Sequence, residues 1–178
     1  MTDSALVSSA RGGSREAFEA LIERYEKRVF RLLRMRTSSV EDAEDLLQDV
    51  FLRSWTRLHQ FDDRRPFSPW LYTLAVRLAV SRGRKQRLAT TTGREMDELT
   101  SGDNPAEIAD RQEQNRNLWD LALTVLGPEP RTVLWLFYAE DLSSLQIGDI
   151  LGKREEAVRS MLFRARNRLA SHLQKATL

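Results

Sequence analysis

Between Lys153 and Lys175 the chain carries seven bases (Lys153, Arg154, Arg159, Arg164, Arg166, Arg168, Lys175) and two acids, Glu155 and Glu156. In the same stretch Val158, Met161, Leu162, Ala165, Leu169 and Leu173 recur at helical spacing. That stripe leaves Arg159, Ser160, Phe163, Arg164 and Arg166 mainly on the opposite side, with Arg154 just ahead of them. A helix built this way can rest its apolar face on its own domain and turn cations and hydrogen-bonding groups toward a DNA major groove. A solvated charged face is the plainer reading. The short helix and glycine-containing turn just before it favour DNA.

A second group runs Phe61-Asp62-Asp63-Arg64-Arg65-Pro66-Phe67-Ser68-Pro69-Trp70-Leu71-Tyr72, with the basic residues Arg77 to Arg87 behind it. Interleaved rings and guanidinium groups hold single-stranded nucleic acid by stacking on bases and pairing with phosphates. Phe67, Trp70 and Leu71 could equally be core. The strand-binding expectation therefore falls first on the loop Phe61–Phe67, including Arg64 and Arg65, and on Arg77 and Arg82, ahead of Trp70. A third group, Asp45, Gln48, Asp49 and Arg53, is left exposed together when the apolar stripe of its helix faces inward. That is either a docking face or an ordinary solvated one.

Other chemistry finds little support. The chain of 178 residues has no cysteine, which excludes disulfides and thiolate metal sites. His59 and His172 lie far apart and make a poor metal pair. No carboxylate cluster of metal-ligand character, nucleophile–base pair or glycine-rich phosphate loop is visible. The reading is of a protein that is not an enzyme, with no cofactor, no metal and no small-molecule substrate. No apolar run approaches the roughly 20 residues that span a bilayer. Met1-Thr2-Asp3-Ser4 does not open a signal peptide, so the cytoplasm is expected. The net charge is only +2, so the distribution of charge informs more than its sum.

The elements that must position these groups are helices. Phe18, Leu21, Ile22, Tyr25 and Val29 share one face. Ala43, Leu46, Leu47, Val50, Phe51, Trp55 and Leu58 form a second stripe, whose start fits a capping box with Ser38 as N-cap and Glu41 three residues on. Trp70, Leu71, Leu74, Ala75, Leu78 and Ala79 form a third, opened by Ser68-Pro69. No segment alternates strictly, so no strand is expected. Val76 to Arg94 holds six bases and no acid, whereas Glu95 to Glu113 holds seven acids and one base, Arg111. Thr90 to Gly93 and Ser101 to Pro105 are poor in large apolar residues, as in an exposed linker. Helical patterns resume with Leu118, Trp119, Leu121, Ala122, Val125 and Leu126, and Gly127-Pro128-Glu129-Pro130 breaks them. A short helix near Leu145–Leu151, a turn at Gly152 and a longer helix from about Arg154 to Leu173 outline a helix-turn-helix.

Some of these runs resemble a known family. Leu142 to Gly152, followed by Ala157 to Leu169, resembles conserved region 4 of extracytoplasmic-function sigma factors of the sigma-70 family. Glu41 to Trp55, with Ala17 to Leu21 and Tyr25 to Val29 before it, resembles region 2 of the same family, and so does Phe61 to Tyr72. The matches cover about residues 10–87 and 116–172 in the family's order. The resemblance implies that Asp45, Gln48, Asp49 and Arg53 dock on core RNA polymerase, on the coiled coil of its β′ subunit, with the β subunit a further contact. It implies that Phe61, Arg64, Arg65, Phe67, Trp70, Arg77 and Arg82 serve the −10 element, where a base is flipped out and a melted strand held. Arg154, Arg159, Ser160, Phe163, Arg164 and Arg166 would read the −35 element. An anti-sigma factor is a further implied partner beside promoter DNA.

The chain departs from the family pattern at several positions. Arg77 stands where Asn is usual and Ser81 where Asp is common. Gly148 replaces an Ala of the helix-turn-helix, Lys153 an apolar residue at its turn, and Met161 a common Arg. Met161 counts in the apolar stripe and is also taken as groove-facing; it cannot donate a hydrogen bond, so its position should read thymine methyls or nothing. The expected architecture is all-α, two small helical domains joined by a flexible linker: a region 2 bundle over 1–87, an acidic linker over 88–115, and a region 4 helix-turn-helix over 116–178. The expected function is an alternative sigma factor for promoter-specific initiation. A polymerase-independent helix-turn-helix regulator and a transcriptionally weak sigma-like adaptor are the alternatives.

Overall fold

The structure, a computed structural model, describes residues 1–90 and 119–176. The part of the expected linker from residue 91 to 115 lies outside the described residues, and so do residues 116–118. Among the described residues every regular element is helical. In chain order these are α1 (Asp3–Arg11), α2 (Arg15–Arg34), α3 (Val40–Arg57), a 3₁₀ turn (Leu58–Gln60), α4 (Phe67–Thr90), α5 (119–125), α6 (Pro128–Tyr138), α7 (Ser144–Leu151) and α8 (Glu155–Ala176). The helices divide into two compact units. One carries α1–α4, and the other carries α5, α6, α8 and the greater part of α7.

Local chemistry sets the helix ends. Thr2 and Ser14 cap α1 and α2, their hydroxyl oxygens accepting from the Ala5 and Ala17 N–H groups at 3.3 and 3.2 Å. The cap of α3 is Ser39 and not the expected Ser38. Ser39 is extended, with φ −129°, and its Oγ accepts from Asp42 N–H at 3.1 Å. Glu41 and Asp42 then lie in the first turn, where the helix dipole favours acids. Gly127-Pro128 does not only end a helix: Pro128 opens α6 as its first residue, a position that needs no N–H. Ser143 and Gln146 form a reciprocal capping box at α7. Ser143 Oγ accepts from Gln146 N–H at 3.2 Å, and Gln146 Oε1 accepts from Ser143 N–H at 2.9 Å.

In the first unit α2, α3 and α4 pack on one another and α1 lies against α2. The core holds Leu21, Val29, Leu32, Leu33, Leu46, Val50, Leu71 and Tyr72, all buried. Asp3 fastens α1 to α2: its carboxylate pairs with Arg24 and accepts from the Tyr25 hydroxyl. Burial and that carboxylate push the Tyr25 phenol well above its ordinary pKa, so it remains a neutral donor. In the second unit α6 packs on α8, around Val133, Leu136, Ile147, Val158 and Leu162. Arg131 is also buried there, at 7% exposure. Its Nη1 donates to the Leu123 carbonyl at 3.1 Å, which satisfies an orphan acceptor at the end of α5. Burial lowers the pKa of this guanidinium. Periodicity had no means of showing a buried arginine.

Candidate functional site

Three surfaces gather the residues singled out in the sequence. On α3, Asp45, Gln48, Asp49 and Arg53 are all exposed. At about 100° per residue they occupy one contiguous arc. Leu52 sits inside that arc and is 63% exposed. The sequence reading assigned it neither to the apolar stripe nor to the exposed polar group. Trp55, placed in the buried stripe, is 37% exposed at the edge of the same face, its ring 4.8 Å from that of Phe18. The face is therefore acidic and polar with an exposed leucine inside it and a tryptophan at its edge.

The second surface departs most from expectation. Phe61 and Phe67 are 5% and 3% exposed. They meet edge to face at 5.7 Å, Trp70 lies 5.2 Å from one and 5.6 Å from the other, and Tyr25 lies 5.5 Å from Phe67. These two rings plug the core, so as packed they offer no face to a base. Trp70, ranked behind them, is the half-buried member of the group. The tip of the loop is exposed and charged. Arg64 grips Asp62 at 2.9 Å (Nε–Oδ1) and 3.2 Å (Nη2–Oδ2) and also donates its backbone N–H. Those hydrogen bonds hold the Asp62 carboxyl below its usual range. Arg11 approaches Asp63 at 3.4 Å. Arg65 is open to solvent, its nearest acid Asp62 at 4.0 Å.

Behind the loop, Arg77 is exposed on α4, as a strand contact requires. Arg82 is placed differently. It reaches Asp45 at 3.0 Å and Asp42 at 3.5 Å, and Gln86 donates to Asp42 at 3.0 Å. The guanidinium expected on nucleic acid thus clamps α4 to α3 and orients Asp45 of the α3 arc.

The third surface is on α8. Arg159, Ser160, Phe163 and Arg164, with Ala157, line one shallow open depression. Phe163 is 64% exposed between its basic neighbours. Arg159 is steadied by Glu155 one turn back at 2.5 Å, and Arg164 Nε donates to the Ser160 carbonyl at 3.3 Å. Arg154 is exposed just before the first turn. Arg166 belongs to a different setting: its guanidinium lies 5.4 Å from the ring centroids of both Phe137 and Tyr138 of α6. It is exposed and lies beside aromatic rings, a cation–π contact that positions it apart from the depression. Met161 is half-buried and stands at the border of the depression, about 40° around the helix from Ala157 and about 60° from Arg164.

Among the described residues no group of three or more His, Cys, Asp or Glu side chains could hold a metal ion. No helix among them is long and apolar enough to cross a membrane. The three surfaces are an open basic helix face, a charged loop and an arc of mixed polar and apolar groups.

Comparison with known proteins agrees with that picture. Residues 21–89 match the family model for sigma-70 region 2, and residues 116–169 match that for sigma-70 region 4. The ECF RNA polymerase sigma factor SigW of Bacillus subtilis is 28% identical over 178 residues, covering 94% of this chain and 95% of that protein. The ECF RNA polymerase sigma-E factor of Escherichia coli is 28% identical, covering 98% and 95%. A solved structure of the sigma factor RpoE with the anti-sigma factor NepR from Bartonella quintana shares the fold, with a TM-score of 0.75, 23% identity and coverage of 88% of this chain and 96% of that one. Together these results place the chain in the sigma-70 family, among its extracytoplasmic-function sigma factors.

Proposed function

We propose that the protein is an alternative sigma factor whose three surfaces divide the work of initiation. The α3 arc of Asp45, Gln48, Leu52, Asp49 and Arg53 docks on core RNA polymerase, at the β′ coiled coil. The loop at Arg64 and Arg65, with Trp70 and Arg77, serves the melted −10 strand. The α8 face of Arg154, Arg159, Ser160, Phe163 and Arg164 reads the −35 duplex. Residues 1–87 and 116–178 are the two working domains and 88–115 the connection between them. The observation that carries the reading is the coexistence of the docking arc and the basic groove-facing helix in a chain whose halves match regions 2 and 4.

On this reading the protein acts in the cytoplasm and does no chemistry itself; the polymerase does. Capturing an unstacked base offsets the few kcal/mol, roughly, that unstacking costs. An anti-sigma factor is the natural regulatory partner, because a relative of the same fold is held by one. Run-off transcription with core polymerase across a genomic promoter library tests the whole assignment: discrete promoters sharing two elements are expected. DNA binding that is indifferent to polymerase would instead indicate a free-standing regulator.

The docking arc makes a sharper prediction. Asp49→Arg reverses an exposed charge at the centre of the arc and is expected to weaken core binding about tenfold, about 1.4 kcal/mol. Leu52→Glu places a charge where an apolar contact is needed and should weaken binding at least as much. Neither should alter helix content, since both side chains are exposed. Titration with core enzyme and circular dichroism decide it. Undiminished recovery of polymerase by both variants would remove this arc from the interface.

A further inference from the structure

Two departures from the family pattern, Gly148 and Lys153, meet at one point of the helix-turn-helix. Gly152 closes α7 in the left-handed region, with φ +67°. The Lys153 N–H then returns to the Gly148 carbonyl at 2.8 Å. This is the six-to-one bond of a Schellman turn, in which Gly148 is the third residue from the helix cap and Lys153 the second residue past it. Such turns frequently carry an apolar contact from the residue past the glycine to the third or fourth residue before the cap. Gly148, the third, has no side chain to offer it. The chain closes in on the vacated space: a Cβ on Gly148 would lie 2.6 Å from the Lys153 carbonyl oxygen, and 3.6 and 3.7 Å from the carbonyl carbons of Lys153 and Arg154. Those atoms are backbone, so even an alanine would push the turn away. The Lys153 side chain, freed from an apolar role, reaches Glu129 in the first turn of α6 at 3.2 Å.

The geometry points to Gly148 and Lys153 as a coupled pair of positioning residues that set where α8 leaves the turn, and so which bases its face meets. The close backbone approach fixes the turn against α7, and the Lys153–Glu129 pair fastens it to α6. Arg154 follows directly and Arg159 lies one to two turns on, so a displacement of the turn is carried into the reading face. This inference rests on the assignment of α8 to the −35 duplex.

The test uses holoenzyme on a duplex library randomised at −35, with thermal melting of the full chain alongside. Gly148→Ala is expected to lower affinity for the preferred sequence tenfold or more and to change the preferred bases, while most helix content remains. Lys153→Met adds no atom at the close approach and removes only the ion pair. It should weaken binding a few-fold, Glu129→Gln should match it, and the double variant should lose no more than either alone, as for two members of one interaction. A wild-type holoenzyme without base preference at −35 would sink the assignment of α8 itself. A wild type with clear preference, whose Gly148→Ala and Lys153→Met variants keep both affinity and preference, would overturn the positioning role. So would a loss that follows the melting temperature with preference intact. If Gly148→Ala does not fold, Lys153→Met and the double-variant cycle decide the matter.

Discussion

Phe67→Ala is expected to lower the stability of the folded protein by about 3–5 kcal/mol, the usual cost of emptying a large aromatic site in a core. Phe67 is 3% exposed and touches the rings of Tyr25, Phe61 and Trp70, so no neighbour can fill the space without moving. The loss should appear as a lower melting temperature of the free protein, before any DNA or polymerase is added. Arg65→Ala on the same loop should do the reverse. Its side chain is 78% exposed, and surface changes of this kind usually stay within about 0.5 kcal/mol. Removing one phosphate contact should instead flatten the salt dependence of single-strand binding by about 0.7 of a unit in slope. Thermal melting and fluorescence titration of a single-stranded −10 oligonucleotide with holoenzyme separate the two behaviours. An unchanged melting temperature for Phe67→Ala, with slow promoter opening, would return the ring to the strand.

That contrast shows what one dimension of information can and cannot decide. A ring that stacks on a base and a ring that fills a core are the same residue type, and both call for arginines nearby in a nucleic-acid protein. What buries Phe67 is Tyr25, on another helix 42 positions away in the chain. Helical spacing carries no record of such a partner. Arg82 and Arg166 follow the same logic. Each belongs to a basic run with the right sign and spacing, yet Asp42 and Asp45 claim one and the Phe137–Tyr138 pair claims the other. The exposed arc of α3 was legible because amphipathic periodicity alone fixes it: once Leu46 and Val50 face inward, Asp45 and Asp49 must face out. The same periodicity puts Leu52 on that arc, but a leucine carries no charge or hydrogen-bonding group to mark it as a contact, so it was passed over. The turn of the helix-turn-helix was placed correctly at Gly152, since only the left-handed region is being requested there. The tightness of that turn depends on Gly148, whose missing side chain is informative only once the Lys153 carbonyl is seen against it.

On α8 the same reasoning moves the apolar reader of the groove from one residue to another. Met161 is half-buried at the border of the face, whereas Phe163 is 64% exposed between Arg159 and Arg164. An apolar side chain in a major groove has one specific partner, the C5-methyl group of thymine. Replacing the contacted thymine by uracil should therefore weaken binding of the wild-type holoenzyme about fourfold, the worth of roughly one buried methyl or about 0.8 kcal/mol. Phe163→Ala should bind more weakly and lose the ability to tell thymine from uracil at that position, while its response elsewhere is kept. On the proposed reading, Arg159→Ala should cost about 1–3 kcal/mol on the preferred sequence and flatten discrimination at one base pair, because recognition helices meet base edges through their N-terminal residues. Arg164 lies about 140° around the helix from Arg159, and its Nε donates to the Ser160 carbonyl; the proposed reading gives it a phosphate. Arg164→Ala should weaken all sequences alike and reduce the salt slope by about one unit. Binding of holoenzyme to a randomised −35 library at two salt concentrations, repeated with thymine-to-uracil duplexes, reads all three. A uniform loss for Arg159→Ala with the preferred sequence intact would show that this arginine grips the backbone. A Phe163→Ala variant that still senses the methyl would leave the exposed ring to a protein partner, because only a ring outside the groove could be indifferent to it.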